Sequence, residues 1–215
     1  IAAPRAGWCH SLLLHHGISS MAEFTTDALL AGIRAWVEHE TPTDAPEQIS
    51  ALVDTIAREA KGFSAQTEII PGRDGFGAHL ILRSPWGDPA EKGILVMSHL
   101  DTVHPMGSLQ RMPFRVEGGS AFGPGIYDMK GGAYLAFAAL RAIIEEGRNV
   151  ALPVTHLFTS DEEVGSPTSR DLIRSRHCLG DRFSHAPVAI HDVVRGHRAH
   201  CFGVWPIQPV GPVAF

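Results

Sequence analysis

Cysteine is scarce in this sequence: Cys9, Cys178 and Cys201 are the three in 215 residues. No two of them form a CxxC pair, and one is left over in any intramolecular pairing, so neither a disulfide framework nor a cysteine zinc site is indicated. Positive charge is also short, with 18 Lys and Arg against 23 Asp and Glu and a net charge of -5. That balance argues against a nucleic-acid or anionic-membrane partner. Long apolar runs are missing, since the longest, residues 133–144, contains Arg141 and is too short to span a bilayer. The leading residues carry only Leu12, Leu13 and Leu14 between His10 and His15, which is not the pattern of a secretory signal, so the cytoplasm is the expected compartment. With 44% hydrophobic and 19% charged residues, the chain is neither disordered, collagen-like nor a coiled coil. Its length suits one domain, or a domain plus a fragment.

Composition changes along the chain. Residues 21–173 contain no cysteine, eight of the thirteen histidines lie outside them, and neither Glu nor Lys occurs after Glu163. The expected organisation is therefore an atypical N-terminal extension over residues 1–20, a coherent body over 21–173, and an atypical tail over 174–215. The tail is rich in His and Arg without a hydrophobic period, and reads like a shifted frame.

Within the body, Thr25, Thr26 and Asp27 offer caps before Leu29, Leu30, Ile33, Trp36 and Val37, whose spacing predicts an amphipathic helix closed by Pro42. Ile49, Leu52, Val53, Ile56 and Ala57 predict a second helix ending near Gly62. Residues 67–70 and 79–82 read as neighbouring strands flanking a turn-rich stretch. Residues 93–98 form an apolar run without alternation, as expected of a buried central strand covered on both faces. A helix over 133–146, a strand over 154–158 and a helix beginning near 169–173 complete a three-layer α/β sandwich with a central, mostly parallel sheet flanked by helices.

Three polar clusters follow predicted strands or loops, where ligands collect in open α/β sheets. In the first, SHLDTV, alternation places His99 and Asp101 on one face. Such a pair is either an ordinary hydrogen-bonded couple or a metal-binding imidazole with a carboxylate orienting it. The second, GPGIYDMKGG, lets glycines carry Asp128 into a crowded centre just before a helix. A phosphate loop fails on spacing, because no GxxxxGK[ST] can be laid on it; a plain glycine-rich connection with Asp128 as helix cap stays open. The third, TSDEEVGS, puts Asp161, Glu162 and Glu163 directly after an apolar strand. It is either a solvated acidic turn, or a cation site in which one glutamate binds metal while its neighbour handles a proton.

The ordered set SHLDTV, GPGIYDMKGG and TSDEEVGS, with the FRVEGGSAFGPG stretch before Tyr127 and the SRDLI segment at residues 169–173, closely resembles the zinc exopeptidase family of glutamate carboxypeptidase, acetylornithine deacetylase, succinyl-diaminopimelate desuccinylase and aminoacylase. The resemblance implies two divalent metal ions, zinc foremost with cobalt or manganese as substitutes. By it, His99 binds one ion, Asp128 bridges both and Glu163 binds the other, while Asp101 orients His99 and Glu162 is the general base. It further implies a non-proline cis peptide after Asp128, and cleavage of an amide bond in a small peptide or N-acyl amino acid.

Family members carry a further acidic ligand, a dimerisation and lid domain and a late histidine ligand, none of which can be matched here. A rival reading has His185, His191 or His197 with Asp181 or Asp192 stand in for them. The alternative to an active hydrolase is an inactive truncated remnant serving only as a folded α/β module. An incomplete sheet would also expose an apolar edge and favour self-association.

Overall fold

The computed structural model describes residues 24–88, 93–148 and 150–177. The extension over residues 1–20 and the tail from residue 178, with its candidate substitute ligands, lie outside the described residues. Helix α1, Thr26–Glu38, starts where Thr25 Oγ1 accepts the Ala28 N–H at 3.2 Å. It stops four residues before Pro42, where His39 turns to extended backbone, and the buried Lys130 Nζ donates to the carbonyl oxygens of Trp36 at 3.0 Å and His39 at 2.6 Å. Helix α2, Pro46–Gly62, begins on a proline, whose missing N–H costs nothing in the first turn. Strands β1, Gln66–Ile70, and β2, His79–Arg83, pair antiparallel as expected of neighbours.

Strand β3, Ile94–His99, is followed by a short helix α3, Ser108–Arg111, and by a hairpin of β4, Arg115–Glu117, and β5, Ser120–Phe122. The hairpin turns on Gly118 and Gly119, at φ +57° and +79°, the two positive angles that a tight two-residue turn requires. An irregular turn, Ile126–Lys130, leads into α4, Gly131–Glu145. Strand β6, Val154–Thr159, a short turn, Glu162–Val164, and α5, Arg170–His177, complete the order. Helix α5 thus runs past residue 173, where the coherent body was expected to end. Among the described residues no helix is long and apolar enough to cross a membrane.

The expected α/β layering is present, around a mixed four-stranded sheet of order β1-β2-β6-β3. Strands β3 and β6 are parallel, and β2 is antiparallel to both β1 and β6. Leu80 and Leu82 of β2 and Phe158 of β6 face a core built with Trp36 of α1, Ile49, Leu52, Val53 and Ile56 of α2, and Phe137 and Leu140 of α4. Trp36 lies 5.4 Å from Phe137 and 6.0 Å from Phe158 between ring centroids, the edge and tilted contacts that aromatic quadrupoles favour. Ile81 and Leu157, paired on the opposite face, have no exposed surface, so the centre of the sheet at β2 and β6 is buried on both sides.

Strand β3 corrects one expectation. Among the described residues it is the edge of the sheet, with Ile94 44% and Met97 37% exposed, while β6 holds the interior place. An apolar run shows that a strand can be buried; it does not say how many neighbours the strand has.

Candidate metal centre

The parallel register of β3 and β6 sets His99 beside Thr159, so both strands end at the same rim and release their loops side by side. His99 is buried, and its Nδ1 lies 2.9 Å from the backbone carbonyl oxygen of Asp101. A carbonyl only accepts, so Nδ1 carries a proton and donates it, which aims Nε2 at the rim. There Nε2 meets Asp128 Oδ1 at 2.9 Å and Glu162 Oε2 at 3.9 Å.

The Asp101 side chain has its shorter contacts away from the imidazole. Its carboxylate sits 3.5 Å from Nδ1, further than the residue's own carbonyl. Oδ1 accepts the Glu162 N–H at 3.2 Å, and Oδ2 accepts the Glu163 N–H at 3.1 Å and the Thr43 hydroxyl at 3.0 Å. One fully buried anion thus holds the free N–H groups at the start of the turn that carries both glutamates.

Asp128 arrives from the irregular turn before α4, with its side chain 66% exposed, and the Asp128–Met129 peptide bond is cis. The approach depends on Gly125, at φ +66°, where an added Cβ would meet Thr102 Cγ2 at 2.5 Å. The same turn is anchored from behind by Lys130. Glu40, whose charge acts on that ammonium, accepts the Gly107 and Leu109 N–H groups at 2.8 Å each. Lys130 and Glu40 are supporting residues that sequence reasoning passed over; a lysine two places after a candidate ligand was the available signal.

Donor atoms of His99, Asp128 and Glu163 all lie within 4.8 Å of one another. Two donors on one zinc ion at bonds of about 2.0–2.2 Å stand at most about 4.4 Å apart, so small side-chain rotations suffice for the three to share or bridge ions. The electrostatics agree with a site that attracts cations. Burial pulls the His99 pKa down, yet Asp101, Asp128 and Glu162 outweigh it and push it up to about 11. Glu163 is raised to about 7, first by burial and then by Asp128, Asp101 and Glu162, against the lowering influence of His99. Glu162 is raised for the same leading reason. A donor set of one imidazole and clustered carboxylates, holding protons above their ordinary range, fits a divalent metal.

These features define an α/β domain with a candidate metal-binding set, His99, Asp128 and Glu163, gathered at the rim where β3 and β6 end. The chain belongs to peptidase family M20/M25/M40, whose model matches residues 95–203. It is 48% identical over 90 residues to carboxypeptidase G2 of Pseudomonas sp. (strain RS-16), covering 42% of this chain and 22% of that protein. It is 31% identical over 166 residues to succinyl-diaminopimelate desuccinylase of Methylocella silvestris, covering 66% of this chain and 43% of that one. In fold it is similar to human carnosine dipeptidase 1, with a TM-score of 0.58 at 17% identity over 69% of this chain and 35% of that chain. An M20 family metallo-carboxypeptidase of Sulfolobus solfataricus gives 0.57 at 15% identity over 70% and 34%. The chain therefore spans less than half the length of the curated relatives it matches.

Proposed function

We propose that this chain is the metal-binding part of a hydrolase that cleaves an amide bond in a small peptide or N-acyl amino acid. The observation that carries this reading is the convergence of His99, Asp128 and Glu163 within 4.8 Å at one rim, with Glu162 beside them. Membership of a peptidase family, and relatives named as a carboxypeptidase and a desuccinylase, support the substrate class. In this reading His99, Asp128 and Glu163 are the residues that would hold the metal, with zinc the ion expected.

When bound, the metal supplies Lewis-acid polarisation of the scissile carbonyl and acidifies water. The rest is done by side chains. His99 presents Nε2 because its Nδ1 proton is committed to the Asp101 carbonyl. Asp101 keeps the two neighbouring glutamates in fixed register, so Glu163 faces the metal donors while Glu162 stays free to take and return a proton. Burial raises the Glu162 pKa above its ordinary value, toward the range where a carboxylate accepts a proton from water and can hand it to a leaving amine.

Zinc content after dialysis and hydrolysis of a dipeptide and N-acyl amino acid panel test the proposal. Two zinc ions per chain are expected, with amidase activity that Glu162→Gln lowers by about 10²–10⁴-fold while zinc is retained. Failure to bind zinc at micromolar concentration would refute the metal reading. Zinc binding without turnover would instead assign this chain as an inactive module.

A further inference from the structure

Next to the two-glutamate turn lies a second buried polar cluster, centred on Asp161. Asp161 follows β6 and has no exposed surface. Its Oδ2 accepts the Thr168 N–H at 2.6 Å, the Thr168 hydroxyl at 2.7 Å and the Ser169 N–H at 3.0 Å, and its Oδ1 accepts the Ser169 hydroxyl at 2.6 Å. The backbone closes the same loop, with the Ser166 N–H on the Asp161 carbonyl at 2.8 Å and the Gly165 N–H on that of Glu162 at 2.8 Å. Glu162 and Glu163 are thus held between two buried aspartates, Asp101 on one side and Asp161 on the other.

The cluster continues to His79 at the start of β2, which is also buried. Its Nδ1 lies 3.1 Å from Ser160 Oγ and its Nε2 3.0 Å from Thr168 Oγ1. Ser160 Oγ in turn donates to the Gly77 carbonyl at 2.6 Å. Four contacts therefore run in a line from the Gly77 carbonyl through Ser160, His79 and Thr168 to the Asp161 carboxylate, and each needs a proton. The carbonyl claims the proton of Ser160, and the carboxylate claims that of Thr168. Both remaining protons must come from the imidazole ring, because a neutral ring would leave one nitrogen lone pair facing a hydroxyl lone pair.

Burial draws the His79 pKa down, as does Arg73, whose guanidinium donates to the Thr168 carbonyl at 3.2 Å; Asp161 and Asp101 oppose them without overcoming burial. Against burial stand the four contacts themselves, since removing either ring proton breaks one that the geometry makes.

We propose that Asp161 and a doubly protonated His79, joined through Thr168, form a buried ion-paired brace, and that both are positioning residues for the turn carrying Glu162 and Glu163. The consequence for metal affinity rests on the reading of Glu163 as a ligand; the brace itself does not.

Three measurements on the full chain separate these statements. Ring-nitrogen NMR of ¹⁵N-histidine-labelled protein at pH 7, with the His79 signal assigned by its loss in His79→Asn, is expected to show both nitrogens protonated. A neutral His79 ring in the unaltered protein would overturn the ion pair. In Asp161→Asn, the Thr168 and Ser169 N–H groups lose their charged acceptor and the loop behind the turn loosens, so amide hydrogen exchange at Glu162 and Glu163 is expected to quicken by about tenfold or more; unchanged exchange would overturn the positioning role. Zinc titration should show Asp161→Asn and His79→Asn weakening binding by about 10–100-fold. A purely structural role would lower the melting temperature and leave zinc affinity alone. Should the unaltered chain bind no zinc, the metal reading falls, while ring protonation and amide exchange still judge the brace.

Discussion

Replacing Asp101 by alanine should damage both stability and metal binding, and the size of the effect follows from what its carboxylate holds. Three donors lose their acceptor at once: the Glu162 N–H, the Glu163 N–H and the Thr43 hydroxyl, at 3.0–3.2 Å in the intact site. An orphaned buried donor costs about 1–3 kcal/mol. Glu162 and Glu163 are only half-buried, so water can reach part of the opened space, and the sum is discounted to about 3–5 kcal/mol. Against a typical domain stability of about 5–15 kcal/mol, that is a large share. Urea unfolding followed by the fluorescence of buried Trp36 reads the difference. Zinc affinity should fall by about 10–100-fold, because the turn carrying Glu163 loses its anchor. Asp101→Asn keeps one carbonyl acceptor but turns an amide NH₂ toward other donors, so it should fall between the two. Stability within about 0.5 kcal/mol of the parent, a change typical of uninvolved surface sites, together with unaltered zinc affinity, would refute the claim that this carboxylate holds the turn.

Two further predictions concern protons. His99 holds its proton to about pH 11 and Glu163 to about 7, so zinc binding at neutral pH must expel about one to one and a half protons. Calorimetric titration in buffers of different ionisation enthalpy counts them, and affinity should rise between pH 6 and 8; a pH-independent affinity would contradict the site. His156, stacked on Phe158 at 3.9 Å and bonded through Nε2 to Ser98, has its pKa lowered from 6.5 to about 3 by burial. The unfolded chain then binds a proton that the folded chain refuses, so this contribution to stability is complete above about pH 6.5 and is lost as pH falls toward 3. His156→Gln should flatten the acid limb of stability by about one proton, or roughly 1.4 kcal/mol per pH unit; an unchanged slope in urea melts between pH 4 and 6 would show that the ring is not buried neutral.

Much of this arrangement was legible in the sequence because the information is local. The Ile49 to Ala57 stripe, the Thr25 cap and the three polar clusters each announce themselves within a dozen residues, and the cis bond after Asp128 was implied by the family resemblance that those clusters carry. The Gly118–Gly119 hairpin is equally local, but three-residue strands are too short to show an alternating pattern in the sequence. What could not be read is long-range. The edge position of β3 depends on its pairing with β6, some sixty residues on. The acceptor role of the Asp101 carboxylate depends on the Glu162 and Glu163 amides, which only the parallel strand register brings near. The partners of His79 are more than eighty residues away in the chain. Nothing in the flanking residues of a lone histidine distinguishes it from an exposed one.

The most direct test of the central claim is anomalous diffraction at the zinc edge from crystals of the zinc-loaded chain. Peaks are expected within about 2.0–2.2 Å of His99 Nε2 and of carboxylate oxygens of Asp128 and Glu163. Zinc bound elsewhere, with His99 Nε2 still engaged only by Asp128, would contradict it.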